Sequence, residues 1–395
     1  MSSRPTTDLD LTDPDFVRDP YPALASLRAI APLVWHEPSG SWLATTHGVV
    51  SQVLRERALG RLWSDRQPSE RFEPFNTLHR NQMMENEPPV HTRLRRLVAS
   101  AFARGHVERM RPRVGQLAAE LLDAVDPAGF DLVADYAEPL PVAVIADMLG
   151  VPTADRPLLR RWSQAIVRMY EYDRSAEVEQ QALDASAEFA AYVTDLVQRR
   201  REHPGDDLVS DLVAARDADT RLNDEELVAS VVLLLNAGHE ASVNAFGNGI
   251  VALLRHPDQM RRLVEEDVAV DVAIEELIRY DAPLQLFERT AARDVEVAGV
   301  AMTAGDTVAA LMGSANRDAE VFPAADTFDV SRDPNPHVGF GLGVHFCLGA
   351  PLARMELSVS LAALLGRFPG LRLAGEPVPR PTFVLRGFER VPASC

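Results

Sequence analysis

The chain has 395 residues, 46% hydrophobic and 25% charged, enough to bury one large core or two smaller ones. Its formal charge of −18 argues against a nucleic-acid partner, and no run of 18 apolar residues marks a membrane span. Cys347 and the terminal Cys395 give no disulfide framework, and the polar start M-S-S-R-P-T-T-D-L-D lacks the apolar stretch of a signal peptide, so a cytoplasmic protein is expected.

Residues 1–12 read as a flexible arm ahead of one domain over 13–395. A short helix starts at Asp19, with prolines near its first turn. Strands are expected at Leu33 to His36 and Ser41 to Thr46, on either side of the turn residues 37–40, and a helix over 48–56. Residues 62–88, with Trp63, Phe72, Pro74, Phe75 and His79, read as an irregular loop; one of that length inside a compact domain is functional or disordered. After Glu87-Pro88-Pro89 a helix places His91 and Arg95 four residues apart on one face, with Leu94, Leu97, Val98 and Phe102 carrying its packing.

From Arg109 to about His203 the period is helical, with breaks at Pro127, Pro139-Leu140-Pro141 and Gly150-Val151-Pro152. The longest helix follows. Asn223 caps it, Glu226 completes a capping box, and Pro257 ends it. About thirty residues at 1.5 Å each make it about 45 Å long, enough to cross the domain. Apolar on nearly all sides, it should be buried. Its middle reads L-N-A-G-H-E-A-S, Leu235 to Ser242. Gly238 costs about 1 kcal/mol of helix stability against alanine, and Glu240 is an acid in a buried helix. Either Gly238 admits a close helix crossing and Glu240 has a structural partner, or the two mark a functional site. E-E-L-I-R then sets Glu276 and Arg279 one turn apart. Strand-like V-E-V-A-G-V-A-M and T-V-A-A-L-M follow, and F-V-L-R-G-F-E-R-V-P reads as a closing hairpin.

Cys347 sits in F-G-L-G-V-H-F-C-L-G, Phe340 to Gly349, which runs into the helical A-P-L-A-R-M-E-L. A lone cysteine in an apolar segment is usually an inert thiol, and a dinucleotide loop would need glycine where Phe346 stands. Glycines 339, 341, 343 and 349 let the backbone turn tightly around the sulfur. A thiolate at a helix N-terminus is stabilised by the dipole and by free N–H groups, as an axial ligand of haem iron requires.

The pattern F-x-x-G-x-H-x-C-x-G resembles the haem-ligand signature of cytochrome P-450 enzymes. H-x-x-x-R at 91–95, A-G-x-E at 237–240 and E-x-x-R at 276–279 are similar to further family motifs, in the family's order. The resemblance implies a mainly α fold with a small β lobe (α+β), a triangular prism whose long central helix crosses haem b. It makes Cys347 the iron ligand, with Phe340, Gly341 and Gly349 shaping its loop and Ala237 against the haem. His91, Arg95, Arg289 and His345 would hold the propionates. Gly238, Glu240, Ala241 and Ser242 would form the proton-delivery turn, and Glu276 with Arg279 a structural pair. Leu233, Asn236, Leu284, Gln285, Leu286, Val384 and Leu385 would touch substrate, under a roof made by 62–88 and the segment from Trp162 to Tyr172.

One departure matters. The family usually has threonine after the acid; this chain has Ala241, and Ser242 is rotated about 100° away. The expected function is hydroxylation or epoxidation of a small natural product (macrolide, peptide or polyketide), free or carrier-bound, in antibiotic-type secondary metabolism, assisted by a substrate hydroxyl. Oxidative aryl or phenol coupling and a non-catalytic carrier-binding module are the alternatives. Electrons would come from a ferredoxin and its NAD(P)H-dependent reductase to a monomeric enzyme, with Arg93, Arg96, Arg104 and Arg109 as a basic docking patch.

Overall fold

The computed structural model describes residues 4–99, 102, 104–172, 174–215, 221–265 and 267–395. Its centre is the helix Asp224–Arg255. The Asn223 side chain accepts from the Glu226 N–H at 2.8 Å and Glu226 reaches back to the Asn223 N–H at 3.0 Å, so the capping box forms in full. The helix is long and apolar enough to cross a membrane, yet 72% of its most apolar window is buried inside the protein, so its apolarity serves the core. The flanking helices Pro139–Met148, Arg156–Val167, Ala176–Glu202 and Val270–Tyr280 pack around it, and Arg104–Ala124 packs on Ala350–Arg367. Leu94, Leu97, Val98 and Phe102 join this main core.

The β lobe is a six-stranded sheet with two apolar clusters of its own. Its order is Thr6–Thr7, Leu33–His36, Ser41–Ala44, Thr307–Leu311, Leu286–Ala291 and Leu59–Gly60. The expected hairpin at 33–46 is present, with Trp35 opposite Trp42. The mainly α architecture with a small β lobe is therefore as read from the sequence.

Two local expectations are corrected. Within the expected arm, Thr6–Thr7 pairs in parallel with Trp35 and His36, and Leu11 is buried. Residues 62–88 are not a loop throughout, since Ser69–Arg80 is a helix. Pro74 lies inside it and removes one hydrogen bond. Phe72, Phe75, Leu78 and His79 bury one face of it in the core, and that burial outweighs the loss.

Between the helical core and the sheet runs an ordered meander, residues 316–335. The Arg279 guanidinium donates to the carbonyls of Asn316 and Ala325 at 2.8 Å and of Thr327 at 3.2 Å. Its Nε lies 2.6 Å from Glu276 Oε2, and the Asp329 N–H donates to Glu276 Oε1 at 2.9 Å. Both side chains are 0% exposed. A buried pair this fully bonded fixes the segment that leads into the Cys347 loop.

Candidate functional site: a thiol facing a recess under the central helix

The Cys347 loop gets its shape from two glycines. Gly341 (φ 66°) and Gly343 (φ 72°) adopt the left-handed conformation, and a Cβ on Gly343 would lie 2.4 Å from the Leu54 carbonyl oxygen. Gly339 and Gly349 do not use positive φ; at Gly339 a Cβ would instead meet Ile278. The Cys347 N–H donates to the Phe340 carbonyl at 2.9 Å, which closes the loop, and the helix Ala350–Arg367 starts three residues on. Arg354 lies 4.4 Å from the Phe340 ring centroid. Burial pushes the Cys347 thiol up, while the Gly349 N–H and Arg95 pull it down. The same residue is accessible by surface area. The thiol thus stays accessible at the start of the helix Ala350–Arg367.

The central helix has a gap in its own burial. From Ala229 to Leu253 every residue is buried except Ala237, Gly238 and Ala241. Ala237 and Ala241 are one turn apart, so they form a single strip of small, less buried side chains. Behind that strip, a Cβ on Gly238 would sit 2.9 Å from Ile145 Cγ1. Gly238 therefore admits a close crossing by the helix Pro139–Met148, and the central helix continues unbroken through it.

Four residues expected to bind a carboxylate come together at one edge. His91 and His345 have ring centroids 4.6 Å apart, and Arg95 donates to the Phe346 carbonyl at 2.7 Å. His91 Nδ1 is buried without a partner. Burial, with His345 and Arg95 nearby, lowers its pKa to about 4, so it is neutral. Arg289 is 2% exposed and makes no ion pair within 4 Å among the described residues; its one hydrogen bond is to the Glu288 carbonyl. Burial and Arg61 bring its pKa down to about 9. Such orphaned donors and a poorly paired buried guanidinium fit an anionic group. Two acids missed in the sequence reading share this edge: Glu87 lies 2.7 Å from His345 Nε2, and Glu85 pairs with Arg61.

The buried acids divide. Burial disfavours the charge on Glu240, but His239, Arg380 and Arg160 outweigh it and hold the carboxyl below its ordinary range. Arg380 NH1 lies 3.5 Å from Glu240 Oε2; His239 Nε2 is 3.1 Å from Oε1, at an angle that leaves both atoms without a hydrogen bond. Glu356, one turn past Leu352, is 3% exposed with no hydrogen bond among the described residues, and burial raises it to about 8. It borders a cavity of about 10 Å³, room for one water, with Tyr136, Ser242, Phe246 and Ser360. Ser242 Oγ in turn donates to the Gly238 carbonyl at 3.4 Å.

Comparison with known proteins decides the family. Residues 42–382 match the family model described as Cytochrome P450. The chain belongs to the cytochrome P450 family. It is 41% identical to 6-deoxyerythronolide B hydroxylase of Saccharopolyspora erythraea over 98% of each chain. It is 40% identical to the cytochrome P450 monooxygenase PikC of Streptomyces venezuelae, over 99% of this chain and 94% of that one. The crystal structure of P450BioI in complex with hexadec-9Z-enoic acid ligated acyl carrier protein superposes with a TM-score of 0.93 at 32% identity, covering 97% of this chain and 100% of that one. The protein is thus a P450 monooxygenase, a haem-dependent oxidoreductase.

The residues expected to touch substrate occupy several different settings. Gln285 is 0% exposed and donates to the Ala282 carbonyl and to Tyr21 Oη. Leu286 lies in the sheet cluster with Leu24 and Leu43. Leu284 and Leu385 form an isolated bridge, and Val384 is packed in the same cluster. Leu233 is buried, and Asn236 is 9% exposed, its buried Oδ1 without a partner among the described residues. Of the expected docking patch, Arg93 is committed to a bidentate pair with Glu226. The Arg104 side chain lies outside the described residues.

Proposed function

We propose that this P450 holds haem b between the strip Ala237–Ala241 and the Cys347 loop, and hydroxylates or epoxidises a macrolide or related polyketide. The observation that carries the reading is the desolvated yet accessible Cys347 thiol at a helix start. When bound, haem supplies dioxygen activation, with the thiolate donating electron density to the iron. His91, Arg95 and Arg289 would hold its carboxylates, and His345 would join them beside Glu87. Small residues at 237, 238 and 241 give a flat wall. Asn236 offers a polar contact to substrate.

Proton handling follows from the two acids. Glu240 keeps its charge and Glu356 keeps its proton at neutral pH, a separation that assigns base and acid. The Glu356 carboxyl holds its proton beside the small cavity it shares with Ser242, on the turn that lacks a hydroxyl at Ala241. The substrate class rests on relatives named 6-deoxyerythronolide B hydroxylase and mycinamicin IV hydroxylase/epoxidase, and the carrier-protein complex of P450BioI keeps a carrier-bound form in view. A monomeric cytoplasmic enzyme served by a ferredoxin and its reductase completes the proposal.

The test is the reduced, CO-bound difference spectrum of wild type beside Cys347→Ala, then ferredoxin-driven turnover of a macrolactone panel. A band at about 450 nm that the variant lacks, with products about 16 mass units heavier, supports the reading. A band at about 420 nm in wild type removes the thiolate assignment. Products about 2 units lighter establish coupling instead.

A further inference from the structure

Four consecutive residues, Met169 to Tyr172, join the helix Arg156–Val167 to the helix Ala176–Glu202, and each is fastened to another part of the protein. The Met169 carbonyl accepts from Arg66 at 3.2 Å. Tyr170 Oη lies 3.0 Å from Nε2 of His79, in the helix Ser69–Arg80. Tyr172 Oη donates to Glu288 at 3.0 Å. The central tie is Glu171, 8% exposed, which accepts three backbone N–H groups at 3.0 Å each: Phe383 and Val384 on Oε2, Leu385 on Oε1.

Three successive amides converging on one carboxylate form an anion nest. The other edge of this turn is already used, since the Val384 carbonyl accepts from Gln285 N–H at 3.0 Å and Thr382 Oγ1 donates to the Leu385 carbonyl at 2.8 Å. Among the described residues nothing but Glu171 receives the three N–H groups. If the strap lifts, three donors lose their partner together, a costly state for buried amides. The turn therefore keeps its shape only while the strap is down.

Resting on the P450 reading above, we propose that Glu171 is a positioning residue that couples closure of the strap to the shape of the wall at Val384 and Leu385. Charge-assisted bonds from one carboxylate make the two elements move as a unit. A ligand that enters beneath the strap then meets a wall already reshaped, so selection and access depend on one side chain.

The experiment compares wild-type holoenzyme with Glu171→Gln and with Tyr170→Phe, which unties the strap from His79 without touching the nest. Hydrogen exchange is read at the amides of 383–385 and of 169–172, and stopped-flow imidazole binding at the Soret band. In Glu171→Gln, whose single carbonyl oxygen cannot serve both sets of donors, both amide groups should exchange at least about tenfold faster. Imidazole on- and off-rates should each rise by about tenfold or more, since entry is gated by opening. In Tyr170→Phe the remote amides of 383–385 should also speed up, which a merely structural tie would not cause. Tip amides in Tyr170→Phe exchanging as in wild type, or imidazole rates in Glu171→Gln within about twofold of wild type, would overturn the coupling. A wild type with no haem band would instead remove the P450 assignment, and the exchange data alone would then decide the coupling.

Discussion

Replacing Glu356 by glutamine should stabilise the protein at neutral pH, by an amount that grows with pH. The carboxyl is buried without a partner, and its pKa stands at about 8 in the fold against 4.5 as the reference. Below pH 4.5 both states carry the proton, and the group costs nothing through ionisation. Above it the unfolded chain releases a proton that the folded chain keeps, so stability falls as pH rises until about pH 8. Between pH 5.5 and 7.5 that is two units at about 1.4 kcal/mol each, or about 3 kcal/mol. Glutamine has nearly the same shape and does not titrate. Urea unfolding of holoenzyme and of Glu356→Gln across this range should therefore diverge by about 3 kcal/mol. The same variant should lose turnover while keeping its spectrum, because the stored proton is gone. Parallel stability profiles from pH 5.5 to 7.5 would show that Glu356 ionises normally and would end its role as proton source.

Three further outcomes are expected. Arg279→Met strands Glu276 and the carbonyls of Asn316, Ala325 and Thr327, and should cost about 3–5 kcal/mol in urea unfolding with loss of retained haem. Gly238→Ala places a methyl 2.9 Å from Ile145 Cγ1, so despite about 1 kcal/mol of helix propensity gained it should destabilise; Ile145→Val should cost less in that background than in wild type. Glu226→Ala breaks both the capping box and the Arg93 pair, and should lower stability by about 1–2 kcal/mol by thermal or urea unfolding.

What the sequence made legible was what depends on near neighbours along the chain. The capping box at Asn223 and Glu226, the hairpin at 33–44 and the Glu276–Arg279 turn are patterns four to twelve residues wide, and each formed as read. The helix Ser69–Arg80 was hidden because Pro74 breaks its local signal, whereas its stability comes from Phe72, Phe75 and Leu78 meeting a distant core. Glu356 and Glu171 were invisible for a related reason. Each is an ordinary acid in sequence, and only tertiary packing removes water from one and delivers three amides to the other. The amide partner of Gln285 was equally hidden, since Tyr21 lies 264 residues away.

Ala241 gains a physical explanation from these placements. Glu240 and Ser242 are two positions apart, about 200° around the helix, so the acid with its Arg380 contact and the hydroxyl with its cavity lie on opposite sides. Ala241 stands between them, one turn from Ala237, on the strip that opens to the recess. A threonine there would add a hydroxyl in the recess but could not touch the Glu356 cavity. The arrangement separates two tasks that a single threonine otherwise combines: the recess wall stays small and apolar for a bulky ligand, while the proton is kept behind the helix on Glu356. Ser242 needs only to face that store and the Gly238 carbonyl, which it does at 3.4 Å. A substrate hydroxyl in the recess is then the remaining polar partner, and a polyhydroxylated macrolactone has the chemistry to provide it.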